Sequence, residues 1–158
     1  QLLEKGFAVR LNNIVNNAGI NHNRICLEFT ERDILAQFEK TKELMHQLNE
    51  DGYRFYLDDF GTGYSALSRI EELPIDCIKI DKRFIDNIMV RDRQRLIIQE
   101  LISMCHKLGL QVVAEGVEHD TQRQYLAESG CNTMQGFLYS KPLEEEAAIE
   151  RLRQSRAG

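Results

Sequence analysis

No run of about 18 consecutive apolar residues occurs in this sequence, so nothing in it reads as a membrane-spanning helix. The opening residues, Gln1-Leu2-Leu3-Glu4-Lys5, lack the basic-then-apolar order of a secretory leader. They also lack an initiator Met, and we expect a segment of a longer parent chain. An excess of positive charge is missing too. The net charge of -5 disfavours a nucleic-acid polymer as partner. Cys26, Cys77, Cys105 and Cys131 form no CxxC pair, and the four histidines no HExxH, so zinc and disulfides give way to buried free thiols in a reducing cytosol. No repeat, linker or low-complexity segment interrupts the 158 residues, which at 42% hydrophobic content suffice for one domain with a real core. The expected compartment is the cytoplasm, whatever membrane tether the parent carries elsewhere.

What is present is a regular alternation. Phe7, Leu11, Ile14 and Ala18 recur at helical spacing before Gly19, and Arg24–Phe29 reads as a strand. One long helix is expected to carry Ile34, Phe38, Thr41, Met45 and Leu48 inward. Tyr53–Leu57 and Cys77–Ile80 are strands, with a short helix ending near Pro74 between them. Phe84, Ile85 and Ile88 mark a helical turn. Ile97, Leu101, Cys105 and Leu108 mark a longer helix closed by Gly109. Gln111–Ala114 is a strand, Thr121–Ser129 a helix, Asn132–Gln135 a weak strand. A charged helix over 144–156 presents Ala148, Ile149 and Leu152 inward. Strands alternating with helices through short loops predict an α/β fold with a parallel sheet, open or closed into a barrel.

The chain is organised around Leu57-Asp58-Asp59-Phe60-Gly61-Thr62-Gly63-Tyr64-Ser65. Two adjacent carboxylates stand where a strand ends, and they repel unless a cation or proton lies between them. Other polar residues fall at the same position in neighbouring units. Glu28 and Glu31 flank the first strand's end, Lys79 and Asp81 the third's, Glu115 and Glu118 the fourth's and Gln135 the fifth's. Parallel strands bring their C-terminal ends to one face, the face that carries active sites in α/β barrels.

Each member also has a plainer reading. Glu28 and Glu31 suit a helix entry capped by Thr30, Asp81 suits a cap of the following turn, and Glu118 suits a brace on backbone N–H groups. Ser65 suits a cap for the helix after the glycine loop, and a lone GxG is weak evidence of a phosphate cradle. Lys79, between Ile78 and Ile80 in a buried strand, needs an anionic partner. Hard oxygen donors without thiolate or imidazole select Mg²⁺, Mn²⁺ or Ca²⁺. Taken alone, the residues indicate a metal-dependent hydrolase or lyase acting on a phosphorylated ligand.

Glu28-Phe29-Thr30-Glu31, Asp58 to Ser65, Ile78-Lys79-Ile80-Asp81, Ala114-Glu115-Gly116-Val117-Glu118 and Gln135-Gly136-Phe137-Leu138-Tyr139-Ser140-Lys141-Pro142 stand in order from about Phe7 to Leu143. Together they resemble the EAL-domain family of bacterial cyclic di-GMP phosphodiesterases. The resemblance implies an incomplete (β/α) TIM-type barrel over residues 1–158 and hydrolysis of cyclic di-GMP to linear pGpG with Mg²⁺ or Mn²⁺, two ions in the intact domain. It implies metal binding by Glu28, Asp58, Asp59 and Glu115, with Asp58 bridging the ions. Lys79 corresponds to the active-site lysine, and Glu115 serves as general base in one-metal schemes. Glu31 corresponds to the anchor of the glycine loop, Glu118 to a supporting residue and Gln135 to a site-lining amide. The loop Phe60, Gly61, Thr62, Gly63, Tyr64 and Ser65 resembles the one that couples homodimerisation to catalysis.

One departure is plain. The Glu-Ala-Leu motif, its nearby arginine and a metal-binding asparagine precede the matched segment in the family, and this sequence has none of them. The expectation is therefore a domain without its N-terminal strands, inactive alone and active in the intact parent. The alternative is a non-catalytic module that binds cyclic di-GMP or docks a protein. An unrelated metal-using barrel lyase is the remote third reading.

Overall fold

The short apolar runs become strands that pair in chain order. In the computed structural model, which describes residues 4, 6–61, 69 and 71–155, the strands are β1 (Cys26–Thr30), β2 (Arg54–Phe60), β3 (Cys77–Ile80), β4 (Gln111–Ala114) and β5 (Thr133–Met134). They form one sheet in the order 1-2-3-4-5, parallel at every pairing. The helices are α1 (Phe7–Asn17), α2 (Glu31–Ala36), α3 (Phe38–Glu50), α4 (Lys82–Ile85), α5 (Asp92–Lys107), α6 (Asp120–Glu128) and α7 (Glu145–Ser155). An order that never reverses has no switch point, so the chain builds an arc of (β/α) barrel wall and not a doubly wound sheet. The α/β, partial-barrel expectation holds.

Register explains the two faces. Phe29, Leu57, Ile78 and Val112 are partners in one row across four strands, and all four are buried. Each such side chain contributes roughly 1.5–3 kcal/mol on leaving water. Phe55 packs edge-on against Phe29, ring centroids 5.7 Å apart at 60°. Side chains one residue along point the other way. Glu28 is the register partner of Tyr56, and Lys79 of Val113, so these four lie on the opposite, inner face.

Several helix faces differ from expectation. The long helix is two, α2 and α3, broken at Gln37 (φ -145°, ψ 60°), although Ile34, Phe38, Thr41, Met45 and Leu48 are all buried as expected. In α1 the buried residues are Ala8 and Val15, while Ile14 is 67% exposed. In α5 the buried stripe is Ile98, Ile102 and Cys105, with Ile97 and Leu108 exposed. The two stripes share Cys105, Leu101 of the expected one packs partly buried against the core, and Ile97 lies one residue, 100° of rotation, from the buried Ile98. The neighbouring sheet selects between them. In α7, Ile149 and Leu152 are exposed and not inward. Cys77, Cys105 and Cys131 are buried thiols, but Cys26, at the start of β1, is exposed.

Candidate active site

The inner face gathers its charges around Lys79. This residue is 7% exposed, and its Nζ lies 2.9 Å from Glu28 Oε2, 3.2 Å from Asp58 Oδ1 and 2.9 Å from Glu115 Oε1. Burial by itself lowers the lysine pKa. Hydrogen bonds to Glu28, Glu115 and Asp58 outweigh it and leave the group raised, so Lys79 keeps its proton at any physiological pH. Three neighbouring strands each supply one carboxylate or the ammonium, and Glu115 follows the end of a fourth.

Asp58 and Asp59 share this region through a defect in the ladder. The β2–β3 register shifts between Leu57 and Phe60, and Asp59 adopts φ 54°, the one positive φ among the described non-glycine residues. A regular strand would send the two carboxylates to opposite faces. The shift lets the strand continue to Phe60, beyond the expected end at Leu57, while the Asp59 N–H turns back to donate to Asp58 Oδ1 at 3.0 Å. Burial, and then the charges of Asp58 and Asp81, raise the Asp59 pKa. Burial also works to raise Asp81, but bonds from the Arg83 side chain and backbone outweigh it and hold Asp81 low. Asp81 caps α4 as expected.

The remaining candidates sit around this centre. Thr30 caps α2 by accepting from Asp33 N, and Glu31, the first residue of α2, is 3% exposed. Among the described residues no backbone N–H donates to the Glu118 side chain. Its Oε1 meets Lys82 Nζ at 2.9 Å, because Lys82 at the start of α4 passes directly beneath the β4–α6 loop. That approach requires Gly116, at φ +69°, since an added Cβ would stand 2.3 Å from Lys82 Cγ. Gln135 lines a cavity of about 450 Å³ together with Glu28, Lys79, Tyr56, Tyr139 and Ser140. Phe60 is buried, and Gly61 closes against Phe84. Thr62, Gly63, Tyr64 and Ser65 lie outside the described residues, and with them the Ser65 cap and the homodimer expected through that loop.

Tyr56 is the residue the sequence reading missed. It faces the cavity beside Glu28, and a hydrogen bond with Cys26, reinforced by burial, pushes its hydroxyl up to about 12. Period-two alternation was the available signal, since Tyr56 stands two residues before Asp58 on the same face.

Among the described residues no three His, Cys, Asp or Glu side chains converge tightly enough to hold an ion unaided. The carboxylates converge on the ammonium instead. The donors are hard oxygens, the kind that suits a divalent ion, and such an ion would compete with the Lys79 ammonium for them.

The family model described as "EAL domain" matches residues 1–142. The chain is 43% identical over 120 residues to the signaling protein YkoW of Bacillus subtilis, and 43% identical over 127 residues to the cyclic di-GMP phosphodiesterase NbdA of Pseudomonas aeruginosa. These matches cover 76% and 80% of this chain but only 15% and 16% of the two relatives, so the chain spans about a sixth of their length. The solved EAL domain of Mycobacterium smegmatis DcpA superposes with TM-score 0.92 at 35% identity, over 98% of this chain and 69% of that one. A manganese and cyclic di-GMP complex of Klebsiella pneumoniae BlrP1 superposes with TM-score 0.83 at 30% identity, over 88% of this chain and 36% of that one.

Proposed function

The chain belongs to the EAL domain family, and from that premise we propose that its parent protein hydrolyses cyclic di-GMP to linear pGpG with divalent metal ions. The observation that carries this reading is the cluster of Glu28, Asp58 and Glu115 within 3.2 Å of a buried lysine, at the edge of a cavity of about 450 Å³. Relatives named as cyclic di-GMP phosphodiesterases support it.

The residues that would hold the ions are Glu28, Asp58, Asp59 and Glu115, and Mg²⁺ or Mn²⁺ are the ions we propose. Divalent ions supply charge neutralisation at the phosphodiester and lower the pKa of a water. The chain's own groups do the rest. Lys79, an ammonium placed among these carboxylates, is the positive charge we assign toward a phosphate oxygen. Glu115, beside it and largely buried, would hold an ion in a two-metal arrangement, and in a one-metal arrangement it is instead the carboxylate we assign to accept the proton from the attacking water. Gln135 and Tyr56 line the space that receives the substrate. Glu31 and Glu118 hold the flanking loops. The homodimer through the loop at 60–65 is part of the same proposal.

Asp58→Asn in the full-length protein is the direct test. We expect metal-dependent turnover to fall at least a hundredfold while the fold is kept, because a carboxylate that would hold the ions loses its charge without a change of shape. Unchanged turnover would remove Asp58 from the metal site.

A further inference from the structure

Gln122 carries no role in the site described above, yet its side chain is only 3% exposed and spends all its bonding on backbone. Its Oε1 accepts from Glu118 N and His119 N, both at 2.9 Å, and its Nε2 donates to Ile85 O at 3.2 Å. The bond from His119 N is local, the back-bond of a capping box that starts α6. The bond to Ile85 is not local. It reaches 37 residues back to the last residue of α4, the helix that begins three residues after Lys79.

We propose that Gln122 is a positioning residue for the Lys79–Glu115 centre, and this rests on the metal-site reading above. Its amide pins the 115–119 loop to α4, and so fixes where Glu115 meets the ion and Lys79. A capping box alone does not explain an amide here, since glutamate serves that role equally. Only the amide donates to Ile85 O while accepting from the loop. A second polar tie between these elements among the described residues, Lys82 with Glu118, is 45% and 36% exposed and therefore screened by water. Gln122 is the buried one.

The test compares Gln122→Glu and Gln122→Met with the wild-type full-length protein, reading Mn²⁺ affinity by calorimetry and amide exchange at Glu118 and His119. Gln122→Glu keeps the bonds to the loop and loses the donor to Ile85. Gln122→Met keeps volume and loses all three bonds. Both are expected to bind Mn²⁺ about tenfold or more weakly. In the wild type, Mn²⁺ is expected to slow exchange at the two amides. A folded Gln122→Glu that binds Mn²⁺ like wild type would reduce Gln122 to a helix cap and overturn the inference. Should neither variant fold, wild-type exchange that Mn²⁺ leaves unchanged overturns it equally, and slowed exchange supports it. A wild-type protein that binds no Mn²⁺ would instead defeat the metal-site reading itself.

Discussion

At the scale of single residues, the site is a balance of charges around one lysine. Lys79→Met keeps a long side chain and leaves Asp58 and Glu115, 26% and 19% exposed, facing each other without their cation. Glu28, 48% exposed, is partly screened by water and suffers less. We expect the metal-free variant to lose about 1–3 kcal/mol in urea unfolding. Mn²⁺ should then stabilise it more than it stabilises wild type, because the ion replaces the missing charge. Equal urea midpoints for the two proteins would contradict this. Lys79 was legible in the sequence because a cation between two isoleucines demands a partner. Which carboxylates answer it was legible only as a set of strand ends. The pairing of Glu118 with Lys82 was not legible, since nothing in either local sequence says that α4 passes under the β4–α6 loop.

At the scale of elements, the loop after β4 is held by close approach. Gly116→Ala would force a side chain into φ +69° and to 2.3 Å from Lys82 Cγ. We expect a loss of roughly 1–3 kcal/mol, read as a lower melting temperature, with Lys82 displaced from Glu118. A variant as stable as wild type would mean that the loop relaxes freely. Strands and several helix ends were readable here from period and from glycine stops such as Gly109 and Gly130, but the break at Gln37 and the extension of β2 to Phe60 were not. Helix faces were readable only where one stripe existed, as in α3. In α5 two stripes that share Cys105 compete, and packing against β4 decides between them. The Asp58–Asp59 geometry was half legible. The need for a break in alternation followed from strand geometry, but its form, a register shift with Asp59 in the left-handed region, did not.

At the scale of the whole molecule, burial of thiols links stability to pH. Burial, the largest cause, pushes Cys77 up to about 12 and Cys105 to about 11. Both pKa values are raised on folding, so their contribution is full below the unfolded thiol value of about 8.5 and is lost as pH rises toward the folded values. Urea midpoints should therefore hold up to about pH 8.5 and decline above it. A midpoint still flat at pH 10 would contradict the buried-thiol core. In the native protein at pH 8 a disulfide reagent should modify Cys26 quickly and the other three thiols only after unfolding. Alternation made a parallel α/β sheet readable, open or closed into a barrel, and the incomplete barrel followed only from the resemblance carried by the ordered motifs. The one assumption that failed at this scale was that every thiol in a strand is buried, since β1 carries Cys26 on an exposed position.

The most direct test of the central claim is turnover of cyclic di-GMP by the intact parent protein with Mn²⁺, followed by chromatography before and after chelation. The account predicts linear pGpG that forms with the metal and ceases when it is removed. Substrate left whole by a folded protein that binds Mn²⁺ would contradict it.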